Sequence, residues 1–171
     1  MRFVLISVLF NVYWFAAVVG QHTFLPFLVL GLIGAVFLDR TVLFAIPLFA
    51  LIGIVGDSVL KSFDILRFQT EFLPIWLCLL WAGFAAYIWL TRDWLLSKPK
   101  WVLVVAGSVG GGLSYLAGER LGAVTFGLDT ASTAAVLFAA WFGYAVTFIA
   151  LLSWLANREE KCASTNNTYT G

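Results

Sequence analysis

Charge is what this chain has least of. Lys, Arg, Asp and Glu make up 11% of its 171 residues, while 62% are hydrophobic. A soluble domain carries about 25% charged and about 45–50% apolar residues. So poor a supply of charge excludes a soluble globular protein unless partners cover nearly all of its surface. The net charge of +1 excludes a strongly basic nucleic-acid binder, so no nucleic-acid partner is expected. Histidine occurs once, as His22, and cysteine twice, as Cys78 and Cys162. One histidine builds no iron-binding cluster, and the chain has no serine–histidine pair. Gly110-Gly111-Gly112 lies inside an apolar segment, without the strand–turn–helix setting of a phosphate loop. The cysteines read as one packed and one exposed thiol rather than a disulfide. No metal and no cofactor is expected, and no catalytic residue is assigned.

Long apolar runs fill the space that charge leaves. A helix crosses the hydrocarbon core with about 20 residues at about 1.5 Å each. The pattern predicts an all-α, polytopic membrane protein, a bundle of six transmembrane helices over residues 3–20, 24–38, 41–60, 72–90, 101–118 and 132–156, followed by a disordered cytoplasmic tail over 158–171. The first run is longer than a signal-peptide core and ends at Gln21-His22-Thr23, which is no small-residue cleavage site, so it reads as a retained helix. Pro26 falls in the first turn of the second run. Asp39-Arg40 makes a tight joint to the third, and Pro47 predicts a kink there. The joint over 61–71 is amphipathic and predicted to lie along the membrane surface. Asn166-Asn167-Thr168 matches a glycosylation sequon by chance.

Six spans put both termini on one side. Arg2, Arg40, Arg92, Lys98, Lys100, Arg158 and Lys161 then lie on the amino-terminal side, and Lys61, Arg67 and Arg120 on the other. The positive-inside rule makes both termini cytoplasmic. Trp89, Trp94, Trp101 and Trp154 fall near the same inner boundary, where tryptophan is favoured.

The central stretch, residues 107–123, reads GSVGGGLSYLAGERLGA. Gly107, Gly111, Ser114, Gly118 and Gly122 share one narrow face at helical spacing, which predicts close helix packing. The candidate polar site is Asn11, Asp57, Tyr115, Glu119 and Arg120. Ionisable residues within spans are costly and face a cavity or a partner. Asn11 is expected to bond a neighbouring helix, and Asp57 to pair locally with Lys61, four residues on. Glu119 has three readings: a helix end at the interface, a structural pair with Arg120, Lys61 or Arg67, or one half of an acidic pair with Asp57.

Asn11 and Trp14, Gly56-Asp57, Pro74, Trp76 and Trp81, and SYLAGERLGA over 114–123 together resemble domain-of-unknown-function family 2878, small multi-pass inner-membrane proteins of Gram-negative bacteria. Tyr115, Gly118, Leu121 and Gly122 carry the most specific part of the resemblance. It implies a bacterial inner-membrane location and no established activity. Family genes often lie beside those of cyclopropane-fatty-acid synthase-like and short-chain dehydrogenase-like enzymes, which implies lipid modification or membrane stress response. Three functions stay open. The first is a non-catalytic accessory whose partners are membrane lipids and other membrane or lipid-modifying proteins. The second is a small transporter or flippase-like component using Asp57 and Glu119, although no inverted repeat is visible. The third is a membrane-embedded lipid-modifying enzyme with those carboxyls as acid and base. The sequence sets no oligomeric state.

Overall fold

The computed structural model describes the backbone of residues 1–168 and the side chains of residues 1–158. Cys162, the sequon and most of the expected tail fall outside the described side chains. The chain runs α1 (Arg2–Gly20), a 3-10 turn (Gln21–Phe24), α2 (Leu25–Leu38), α3 (Val42–Ser62), β1 (Leu66–Arg67), α4 (Ile75–Leu90), α5 (Arg92–Leu96), α6 (Lys100–Arg120), β2 (Thr125–Phe126) and α7 (Thr130–Thr168). The all-α expectation holds apart from one two-residue ribbon.

Four stretches are long and apolar enough to cross a membrane: Arg2–Leu38, Val42–Ser62, Lys100–Arg120 and Thr130–Arg158. The first is not a single rod. Gln21 takes φ 44°, which breaks the helix, and Tyr13 of α1 packs against Gly31 of α2, so α1 and α2 fold back on each other. α4, at 16 residues, is apolar but shorter than these, and with it the helices of 14 residues or more among the described residues are α1, α2, α3, α4, α6 and α7.

Their joints alternate between two ends. Gln21, Arg67 and Gly122 share the wall of one pocket, so the joints after α1, α3 and α6 lie together. At the opposite end Phe3 stacks on Trp94 at 3.5 Å, and Arg92 reaches Asp39 at 3.0 Å. There Asp39 accepts from the Thr41 backbone N–H at 2.9 Å and its hydroxyl at 2.5 Å, tying down the start of α3. The Trp89 indole donates to the Thr41 hydroxyl at 2.8 Å.

α4 is the hub. It packs on α1, α2 and α3, and ten of its residues, Trp76, Trp81 and Trp89 among them, are buried. It begins at Ile75 rather than at 72, because Pro74 is extended at ψ 140° and disfavours helix in the residue before it. α3 runs on through Pro47. The outward faces are as apolar as the core: Val8, Val12 and Phe15 on α1, Phe44, Leu51 and Val55 on α3, Val105 and Val109 on α6, and Phe142 and Val146 on α7 are all exposed. A belt this continuous far exceeds the scattered apolar exposure of a water-soluble surface.

The joint over 61–71 pairs with the joint after α6. Leu66 pairs with Phe126 and Arg67 with Thr125 in an antiparallel ribbon. Leu66 is fully buried there with Leu60, Val124 and Leu137. The ribbon fastens the α3–α4 joint to the α6–α7 joint. At Gly127 a Cβ would overlap the Asp64 carbonyl, so only glycine lets the two joints approach.

Candidate functional site

Asp57 lies on α3, one turn before its end, and is completely buried. Two helices supply its partners. Trp81 of α4 donates its indole N–H to Oδ2 at 2.7 Å, and the Tyr115 hydroxyl of α6 lies 2.6 Å from both carboxyl oxygens. Among the described residues the ion pairs are Arg67–Asp64 and Arg92–Asp39, so no cation pairs with Asp57. Lys61 instead donates to the Glu71 carbonyl at 2.6 Å. The expected local pair is absent because Asp57 points into the bundle, while Lys61 reaches the joint at its end.

Two glycines make room for this arrangement. A Cβ on Gly53 would overlap the Trp81 ring, and one on Gly56 would overlap the Tyr144 hydroxyl. Aromatic rings close around the carboxyl. Trp81 and Trp141 stack at 5.4 Å and 17°, and Tyr144 sits edge-on to both. Tyr115 and Phe84 meet Trp141 edge-on at 6.2 and 5.6 Å. Hydrogen bonds to a carboxyl that water cannot reach fix the relative register of α3, α4 and α6.

Beside this cluster runs a cleft of about 760 Å³, walled by α1 and α4 on one side and α6 and α7 on the other. It extends from Trp94 and Lys98 at one end to Ala123 and Val124 at the other, the length of α6, about 30 Å at 1.5 Å per residue. Aromatic and aliphatic side chains form nearly all of the wall, among them Phe10, Trp14, Trp81, Phe84 and Phe148. Asn11 and Leu113, both exposed, stand at its rim.

The five candidate polar residues separate. Tyr115 and Asn11 line the cleft, and Asp57 sits directly behind Tyr115. Asn11 donates to the Ser7 carbonyl of its own helix at 2.8 Å rather than to a neighbouring helix. Glu119 is half-buried and Arg120 exposed at the end of α6, and neither joins the cleft wall or bonds Asp57. The small-residue face serves both packing and the cleft. Gly107 meets Ala145 and Gly111 admits the Trp141 ring, both on α7, and the same two glycines line the cleft together with Ser114 and Gly118. Gly122 lies past the helix. At φ 76° it caps α6, with its N–H on the Glu119 carbonyl at 2.9 Å and that of Ala123 on Gly118 at 2.9 Å, the double bond of a Schellman cap.

Trp81, Trp141 and Tyr144 were missed as members of the site. The available signal was Gly53 and Gly56, four and one residues before an acid in an apolar run, which mark where neighbouring rings come close.

An all-α bundle with an apolar belt and an aromatic-lined cleft has the character of a membrane protein. The chain belongs to the family described as protein of unknown function DUF2878, whose model matches residues 3–159. No curated protein and no solved structure matches it.

Proposed function

We propose that this chain is a six-span protein of the bacterial inner membrane, with both termini cytoplasmic, that holds the apolar chain of a lipid in its cleft as a non-catalytic accessory to membrane-lipid modification. The supporting observation is the cleft itself. At about 760 Å³ it lies within the range of about 300–1,000 Å³ usual for small-molecule sites. Its rim stands among side chains that face the hydrocarbon of the bilayer.

The test uses Gly110, which lines the cleft and has open space around the position of its Cβ. Gly110→Leu fills the cleft without disturbing the helix. Native mass spectrometry of the detergent-solubilised chain is expected to find bound lipid on the wild type and at least tenfold less on the variant. Equal lipid on both would overturn the reading. The six-span topology is checked by reporter fusions at residues 40, 95 and 158 on the cytoplasmic side and at 22, 69 and 125 on the opposite side.

A second reading, a flippase-like transporter, is favoured by Asp57, a buried acid with no cation beside it among the described residues, which ties three helices together. Proteoliposome flux that survives Asp57→Asn unchanged would exclude it.

A further inference from the structure

The apolar cleft does not end blindly. At the ribbon end it adjoins a second cavity of about 320 Å³, and the two share Phe68, Trp76, Ala123 and Val124 in their walls. The second cavity is of different chemistry. Its remaining wall includes Gln21, His22, Arg67, Gln69 and Thr70, and no carboxylate lines it. Phe68 and Trp76, edge-on at 6.4 Å, stand where apolar wall gives way to polar wall.

We infer that the two cavities form one amphiphile site, with the lipid's chain in the cleft and a phosphate-bearing headgroup in the polar cavity at the ribbon end. The inference rests on the cleft holding a lipid chain and adds the class of lipid and its direction. Three features support it. The first is Arg67, the one charged side chain in that wall. Asp64 engages its Nε at 2.7 Å and its Nη2. Its Nη1 has no acceptor among the described residues, and the side chain is half exposed, so that edge of the guanidinium is open to a ligand. Asp64 balances the charge, so recognition runs through hydrogen-bond donors meeting an acceptor-rich group, a role suited to arginine and phosphate.

The second is the Gln21–His22 turn. Gln21 is held at φ 44° and ψ −122°, a sparsely populated conformation that costs about 1–3 kcal/mol and concentrates at binding sites. The third is position. The joint after α1 and the ribbon lie at one end of the helices, at the depth where a lipid chain anchored in the cleft brings its headgroup. At the opposite end the cleft meets Lys98, whose ammonium lies over the Trp94 ring at 5.0 Å.

The full chain in detergent is titrated with dioleoyl phosphatidylglycerol, with dioleoylglycerol, which has the same chains and no phosphate, and with inorganic phosphate, and bound ligand is read by native mass spectrometry. Phosphatidylglycerol is expected to bind about tenfold more tightly than dioleoylglycerol. Arg67→Gln, and separately the double variant His22→Leu/Gln69→Leu, which leaves the Arg67–Asp64 pair intact, are expected to bring it down to the dioleoylglycerol level. Lys98→Gln is expected to leave the preference unchanged. Gly110→Leu is expected to weaken both lipids together.

Equal binding of the two lipids by the wild type, loss of the preference in Lys98→Gln, or its retention in either Arg67→Gln or the His22→Leu/Gln69→Leu variant would each overturn the inference. So would inorganic phosphate binding as tightly as the phospholipid. If Gly110→Leu still abolishes lipid binding in those cases, the chain-binding reading stands while the headgroup assignment falls. If Gly110→Leu changes nothing, both fall.

Discussion

The cleft has two unlike walls. On one side α4 is 16 residues long, ten of them buried, and Ile75 at its start is its one strongly exposed large hydrophobic residue. On the other, α6 is 21 residues long and its buried residues are Gly111, Gly112 and Gly118. The longer helix could cross a membrane by itself, and the shorter one is the core. Helix stability in a bundle comes from what packs around the helix rather than from its length. α4 forms its wall by presenting rings, and α6 forms its own by lacking side chains. The cleft exists because these two surfaces face each other without filling the space between.

The comparison breaks most sharply at Trp81. This ring donates to Asp57 and packs against Gly53, Phe84, Trp141 and Tyr144. Trp81→Ala is expected to cost about 3–5 kcal/mol, read as a lowered thermal midpoint in detergent. A loss under about 1 kcal/mol would show that α4 is not the hub.

Asp57→Ala comes next. It strands the donors of Trp81 and Tyr115, at about 1–3 kcal/mol for each buried group left unpaired. Tyr115→Phe should cost less, because Trp81 still serves the carboxyl. A double-mutant cycle over Asp57 and Tyr115 should show coupling of about 0.5 kcal/mol or more.

Gly53→Leu drives a side chain into the Trp81 ring and should cost about 1–3 kcal/mol. Smaller again is Asp39, at the opposite end from the ribbon. The Thr41 hydroxyl, and then the Thr41 N–H and the Arg92 guanidinium, hold its carboxyl below the ordinary carboxylate value, against the opposing effect of partial burial. A depressed value stabilises the fold above the unfolded-state value, about 3.9, and that contribution is lost as pH falls through the folded-state value. Asp39→Asn should remove at most about 1 kcal/mol at neutral pH, and unfolding midpoints of variant and wild type should converge as pH drops below about 4.

The smallest effect is expected on the α6 wall. Gly110→Leu should shift stability by no more than about 0.5 kcal/mol while emptying the cleft of lipid. The same glycine-to-leucine change thus separates the two walls: on α3 against α4 it costs stability, and on α6 it costs binding.

Much of the helical plan was legible. Expected segments over 3–20, 24–38, 41–60 and 101–118 lie within a residue or two of α1, α2, α3 and α6, because hydropathy and polar joints mark where apolar helix stops. The ribbon was not legible. Two strands of two residues carry no period, and their pairing depends on Gly127 meeting Asp64 across more than sixty residues of chain. α5 was hidden in a joint read only as basic and tryptophan-rich. Of the candidate site, Asp57 and Tyr115 stood out as polar groups in apolar runs, but nothing local says that Tyr115 reaches Asp57 while Glu119, one turn on, does not. That follows from how α6 is rotated against α3 and α4.

By itself the sequence determined the environment and the helices: too little charge for water, runs long enough for a bilayer, and joints that stop them. These are local quantities, summed over neighbours in the chain. Only the tertiary structure decided that the 16-residue helix is the core, that glycines chosen for packing also open a cleft, and that Asp57 is held by Trp81 and Tyr115. Those outcomes depend on which faces meet, and the side chains that meet are separated by tens of residues along the chain.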